Sequence, residues 1–293
     1  MEIKNPYNQE VLGSIDLTSA NHVETIVQRA NSAKEVCKVL SAGERNRHLL
    51  SIVAGIKTEY DEFVKTIVKE SGKPKRYAQA EVDRAIQTFT IAAEETKRLP
   101  HELIDLDSTE KGHGLRGEVV YESRGVVFGI APFNFPLNLA VHKIAPAIAS
   151  GCPIILKPSS KTPLTMELLS RVIDATDLPE YAFQLVHCTR EVGNQFIEHE
   201  AIDLLSFTGS PDVGWNMKAQ AGKKEVVLEL GGNAAAIVCE DADLDKALEE
   251  LTVGGFAYSG QVCIHTQRIY IQNSVYEPFV NKFIEAEKNL RIG

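Results

Sequence analysis

The sequence predicts an α/β fold, a parallel sheet with helices on both faces. Three observations carry that expectation. From Gly125 onward short apolar runs recur: VVFGI (126–130), PIILK (153–157), FQLV (183–186), DLLSF (203–207) and EVVLEL (225–230). Most are separated by roughly ten to twenty residues of helical patterning. The runs are largely apolar rather than alternating, as strands covered on both faces are.

The first hundred residues read mostly as helix. Thr18-Ser19 is placed to cap a helix with Val23, Ile26, Val27 and Ala30 at helical spacing. A second helix is expected from about Glu44 to Gly72, with Gly72 as its stop. A third carries Val82, Ile86 and Phe89 on one side. Residues 103–124 break the pattern. DLDSTEKGHG is polar and turn-rich, GEVVYES reads as a strand, and the segment is expected to leave the body as a hairpin able to pair with another chain. After the five runs, a helix from Leu244 to Ala257, a strand at Arg268–Gln272 and a helix from Val275 to Leu290 complete the reading.

The totals bound the function. A chain of 293 residues buries one large core or two modest ones. Its net charge of −9, with acids and bases interspersed, argues against a nucleic-acid footprint. Five widely spaced cysteines without a CxxC pair argue against a zinc site and a disulfide framework. No stretch reads as a membrane span and the N-terminus has no apolar leader, so a cytoplasmic protein without membrane or nucleic-acid partners is expected.

Ligands of an open parallel sheet bind beyond the carboxyl ends of its strands. The segments there are APFNFP, KPSSKTP, TGSPDVG and ELGGN. Gly209 to Gly214 precedes a helix whose N–H groups suit a phosphate, though it also reads as a plain strand-to-helix turn. Lys157 is either a donor to a ribose or phosphate, or a solvated strand end. Asn134 sits between Pro132 and Pro136, where its amide suits a developing oxyanion or a local turn bond. Glu229 ends an apolar run. A partly desolvated carboxylate there would have a raised pKa and could act as a general base; the alternative is an edge glutamate facing water. Cys263, in SGQVCIHTQR, is either a nucleophile or a small structural residue.

Taken together, Phe133-Asn134-Phe135-Pro136, Lys157-Pro158-Ser159, Phe207 to Gly214, Glu229-Leu230-Gly231-Gly232-Asn233 and Gly260-Gln261-Val262-Cys263 resemble the aldehyde dehydrogenase superfamily. Order and spacing match along nearly the whole chain, with Glu229 34 residues before Cys263. By general texture the similarity leans toward lactaldehyde- and semialdehyde-type members.

The resemblance implies a Rossmann-like NAD(P)-binding domain over 1–103 and 127–231. It also implies an oligomerisation arm at 104–126 and the start of a second α/β catalytic domain at 232–293. It implies that Cys263 attacks an aldehyde to form a thiohemiacetal. The Asn134 side chain and the Cys263 N–H would hold the oxyanion. Hydride would pass to NAD or NADP, and Glu229 would activate the water that hydrolyses the thioester. Cofactor contacts would come from Ala131, Pro132, Phe133, Lys157, Ser159, Ser160, Gly209, Ser210, Val213, Gly214, Leu230 and Gly231. Ser160 and Lys161 stand where NAD-preferring members often carry a glutamate, so NADP is expected to be accepted. Glu229 favours hydrolysis over transfer to CoA. The other four cysteines are expected to be structural.

The family's chains continue past residue 293. The short catalytic portion is therefore expected to leave apolar surface uncovered, with homo-dimers or tetramers expected at full length. Two further readings stand beside the enzyme. One is a truncated, catalytically inactive nucleotide-binding fragment. The other is a cofactor-free cysteine hydrolase using His265, which an extended segment would place badly to take the thiol proton.

Overall fold

A computed structural model describes residues 1–291. The chain divides after Glu229 into two compact units, 1–229 and 230–293.

The first unit opens with a hairpin the sequence reading missed, β1 (Glu2–Lys4) antiparallel to β2 (Val11–Ser14). The helix expected after Thr18-Ser19 begins later. A 3-10 turn at Ala20–His22 leads into α1 (Val23–Val39), and the Ser19 hydroxyl meets the His22 ring at 3.1 Å instead of capping. The single helix expected over 44–72 is two. These are α2 (Ala42–Thr58), opened by a Ser41–Glu44 capping box, and α3 (Tyr60–Ser71), with the chain turning at Glu59 (φ −95°, ψ 17°). Gly72 ends α3 in the left-handed region (φ 67°), as the sequence suggested. Helix α4 (Lys75–Glu95) buries Val82, Ala85 and Phe89. An exposed antiparallel hairpin follows, β3 (Glu102–Asp105) with β4 (Arg116–Val119).

The sheet then builds from β5 (Val127–Ile130), α5 (Asn138–Ala149), β6 (Ile154–Lys157), α6 (Leu164–Asp174), β7 (Phe183–Leu185), α7 (Arg190–Glu198), β8 (Leu204–Gly209), α8 (Pro211–Gln220) and β9 (Glu225–Leu230). Strand order is β7-β6-β5-β8-β9, and β5 pairs in parallel with both β6 and β8. The chain walks outward from β5 to β7, then returns to the other side of β5. That reversal opens a crevice at the carboxyl ends of β5 and β8. Alternate residues of β5 serve the two faces. Val127 joins the core built with α2 to α6, while Phe128 stacks on Phe196 of α7 at 5.0 Å.

The second unit pairs β10 (Ala234–Val238) in parallel with β11 (Thr266–Ile271), with α9 (Leu244–Phe256) and α10 (Tyr276–Lys288) alongside. Asp243 caps α9 by accepting from the N–H groups of Asp245 and Lys246. Among the described residues of this unit, Val238 and Phe279 are the buried hydrophobics. Ile237 (75%) and Ile264 (80%) are largely exposed, in line with the expectation of uncovered apolar surface.

Candidate active site

At the carboxyl edge of the large sheet lies a cavity of about 380 Å³. Its floor is the end of β5 at Ile130 and the end of β6 at Lys157; its walls are the first turns of α7 and the Val213 and Met217 face of α8. Lys157, Ser160 and Val213 were expected from the sequence to line a cofactor site. Arg190, Thr189 and Gly193 were not, although the HCTREVG segment follows a strand and could have been read by the same rule. Gly193 packs beside the Lys157 stem, 3.6 Å from where a Cβ would stand. The size suits a small-molecule site. Apolar walls beside ammonium, guanidinium and hydroxyl donors fit an adenosine with its ribose.

The other expected cofactor residues sit along the same edge. Ala131, Pro132 and Phe133 follow β5, and the Ala131 N–H donates to the Lys157 carbonyl at 3.0 Å. Phe133 lies under the Lys161 ammonium, 4.7 Å from ring centre to Nζ. The Ser159 hydroxyl is engaged in its own turn, accepting from the Lys161 N–H at 3.2 Å. Gly209 ends β8, where a Cβ would run into the Phe207 ring at 2.5 Å. Ser210 starts α8 without a capping bond from its hydroxyl, Pro211 takes the first helical position, and Gly214 is buried. Leu230 and Gly231 fall in the second unit.

Asn134 lies in the segment joining β5 to α5. Its Oδ1 accepts from the Phe135 N–H at 3.1 Å, which turns the amide's donor end the other way. Glu229, expected to be partly desolvated, is exposed on β9, because the strand's residues alternate between half-buried and exposed. A buried cation of α5 went unread. The Lys143 ammonium donates to Ser206 Oγ at 3.0 Å and Thr208 Oγ1 at 2.9 Å, both on β8. Burial pushes its pKa down to about 8, and the Glu229 carboxylate opposes that fall. Beside it, burial and then the charges of Arg84 and Lys143 lower the pKa of His142. A lone charged residue in the apolar helix NLAVHKIAPAIA is the signal that could have found Lys143, by the logic applied to Glu229.

Within the second unit, Cys263 sits in a turn between a 3-10 segment (Ala257–Gly260) and β11, and its thiol is exposed. The approach is conformationally demanding. Tyr258 (φ 48°), Ser259 (φ 53°) and Gly260 (φ 70°) are consecutive left-handed residues. His265 closes the turn, its backbone N–H 3.1 Å and its ring Nδ1 2.7 Å from the Val262 carbonyl. An Nδ1–H donated there leaves Nε2 as the basic nitrogen of the ring. Cys37, Cys152 and Cys188 are buried, and Cys239 is exposed. Burial pushes the Cys37 thiol up to about 11.

The chain matches the sequence model of the aldehyde dehydrogenase family over residues 1–293. It is 40% identical to lactaldehyde dehydrogenase of Methanococcus aeolicus over 302 aligned positions, covering 100% of this chain and 63% of that one. It is 36% identical to 3-sulfolactaldehyde dehydrogenase of Priestia aryabhattai, covering 100% and 61%. Among solved structures it superposes on aldehyde dehydrogenase 21 of Physcomitrella patens, held with its reaction product succinate. There the TM-score is 0.97 at 40% identity, over 100% of this chain and 61% of that one. It also superposes on glyceraldehyde-3-phosphate dehydrogenase of Methanocaldococcus jannaschii complexed with NADP, with TM-score 0.95 at 38% identity, over 100% and 64%. The chain thus spans less than two thirds of the length of these relatives. The doubly wound sheet, the cavity at its carboxyl edge and the match along its whole length give one conclusion: the chain belongs to the aldehyde dehydrogenase family.

Proposed function

We propose that this protein oxidises an aldehyde to its carboxylate with NADP or NAD as oxidant. The observation that carries the reading is the cavity where Lys157, Ser160 and Arg190 face the apolar side of α8, in a member of this family. Lys157 and Ser160 donate to the adenosine ribose. The N-terminus of α8, with Ser210, faces the pyrophosphate. Ser160 and Lys161 put no carboxylate near the 2′ position, so a 2′-phosphate is accepted. The bound nicotinamide supplies the hydride acceptor.

The chain's own residues take the remaining roles. The Cys263 thiolate adds to the aldehyde carbon, and the carbonyl oxygen becomes an oxyanion held by the Asn134 amide and the Cys263 N–H. Loss of hydride leaves a thioester. Glu229 takes a proton from water, hydroxide adds to the thioester carbon, and the thiolate leaves as the carboxylate forms. The substrate class is a short aldehyde bearing a hydroxyl or an anionic group. Relatives named for lactaldehyde, 3-sulfolactaldehyde and glyceraldehyde-3-phosphate support this. The exposed β3–β4 hairpin, with Leu103 72% exposed, pairs with a second copy to give a dimer or tetramer. Five free cysteines fit a reducing, cytoplasmic setting.

A second reading, a nucleotide-binding chain without turnover, is favoured by the sparsely buried second unit. One experiment separates the two. The purified chain is mixed with lactaldehyde or succinic semialdehyde and NADP or NAD, and absorbance is followed at the reduced-cofactor band. Steady production that is abolished by Cys263→Ala supports the enzyme. NADP binding without production supports the second reading.

A further inference from the structure

The segment that carries Asn134 is held by two charges from elsewhere in the chain. Lys73, in the connection between α3 and α4, and Glu81, on α4, form an ion pair with both side chains fully buried. The Lys73 ammonium donates to the Asn134 backbone carbonyl at 2.6 Å and lies 4.0 Å from the centre of the Phe135 ring. The Glu81 carboxylate accepts from the Leu137 N–H at 2.9 Å and the Asn138 N–H at 3.2 Å. Those are among the first donors of α5, whose positive end favours the carboxylate.

Fully burying an ion pair is costly, and a well-packed apolar pair of the same volume is often as stable or more so. Stability alone therefore does not account for two buried charges at this place. Their hydrogen bonds include the carbonyl of Asn134 and two N–H groups at the start of α5, with the Lys73 charge over the intervening ring. Asn134 Oδ1 is in turn taken by the Phe135 N–H at 3.1 Å, so fixing this backbone also fixes the direction of the amide's donor end.

We infer that the Lys73–Glu81 pair is a positioning device that sets the Asn134 amide for its partner. This rests on Asn134 as the oxyanion donor of the proposed reaction. Neither Lys73 nor Glu81 reacts; both act through residues 134–138. Burial pushes the Lys73 pKa down and that of Glu81 up, while each partner's charge opposes the change in the other.

The test uses the double variant Lys73→Met/Glu81→Gln, which removes both charges and leaves no lone buried ion. Two readouts are taken on the full 293-residue chain. One is the pair of Asn134 side-chain NH2 resonances in a ¹⁵N correlation spectrum, assigned by their loss in Asn134→Ala. The other is acylation of Cys263 by p-nitrophenyl acetate, a small activated ester. The resonances are expected to shift and broaden. The acylation rate is expected to fall roughly tenfold to a hundredfold, the loss typical of a misplaced catalytic group. NADP affinity should stay within about twofold, because the cavity is untouched. In an Asn134→Ala background the double variant should cost nothing further.

A folded double variant with unchanged Asn134 resonances overturns the proposal. So does an acylation loss of equal size in the Asn134→Ala background. Should Asn134→Ala leave acylation unchanged, the oxyanion reading has failed, and the resonances alone then decide whether the pair holds the side chain. Should the double variant fail to fold, Lys73→Arg keeps the charge pair but displaces the donor. It must still shift the Asn134 resonances.

Discussion

Gly129 of β5 leaves the space that the Lys143 side chain crosses: a Cβ at 129 would lie 3.3 Å from Lys143 Cδ. Across that gap the ammonium reaches Ser206 and Thr208 on the neighbouring strand. Gly129→Ala is therefore expected to crowd Lys143 together with Leu156, whose Cδ1 would lie 3.1 Å away, and to cost about 1–3 kcal/mol of stability. Urea denaturation of the variant checks this.

The Lys143 shift has a definite sign in stability. Its folded pKa is about 8, below the ordinary lysine value of 10.5. Below pH 8 both folded and unfolded chains carry the proton, and the burial penalty is fully present. Between 8 and 10.5 the unfolded chain binds more protons, so this group's contribution to stability rises with pH. Urea denaturation at pH 7.5 and 9.5 should show wild type gaining on Lys143→Met by about 1–2 kcal/mol, from roughly 1.4 kcal/mol per pKa unit. A constant difference would mean that Lys143 is not buried as an ammonium.

Gly125 and Asp203 fasten the start of the sheet. Asp203 Oδ2 accepts from the Val126 N–H at 2.8 Å and from Lys34 at 3.0 Å, while Gly125 adopts φ 117°. A Cβ at 125 would meet the same carboxylate at 2.0 Å. Gly125→Ala is expected to cost about 2–4 kcal/mol through a wrong backbone conformation and a clash together. Asp203→Ala should cost about 1–3 kcal/mol through the N–H left without its partner. Chemical denaturation of both variants measures this.

Cofactor choice should follow the residues at the end of β6. Lys157→Ala is expected to weaken NADP and NAD alike, because the ribose is common to both. Ser160→Glu should weaken NADP at least tenfold and spare NAD, since each 1.4 kcal/mol of charge repulsion is tenfold in affinity. Calorimetric titration with each nucleotide gives the ratio.

Thiol accessibility sorts the five cysteines. Native chain treated briefly with iodoacetamide should take label at Cys239 and Cys263, and not at Cys37, Cys152 or Cys188. Peptide mass spectrometry locates the label. Early modification of Cys37, whose thiol burial pushes up to about 11, would contradict the packing between α1 and the sheet.

Much of this architecture was legible because burial on both faces leaves uninterrupted apolar strands. Strands β5 and β6 are the clearest cases, whereas β9 alternates between half-buried and exposed residues and was found by its apolar run alone. The β1–β2 hairpin was not, because its strands of three and four residues are half exposed and carry no clear alternation. Strand β10 is written AAAIV, and alanine is a poor strand signal. The break at Glu59 was invisible because the apolar stripe runs on from Ile56 to Phe63 without glycine or proline. The site shows the same division. Glycine-rich strand ends announce where a nucleotide would lie. Lys73, Glu81 and Lys143 act across 61, 56 and 63 residues of chain, distances no local pattern spans.

The left-handed run Tyr258–Ser259–Gly260 makes the cysteine turn an energetic exception in its own unit. Only one of its three members is a glycine, so two residues sit in a backbone state that costs a non-glycine about 1 kcal/mol or more each. Selection for heat resistance alone would replace Tyr258 and Ser259 with glycine before touching the sheet. Replacing both would relieve that cost, which makes the turn before Cys263 a reserve of stability that the unit leaves unused.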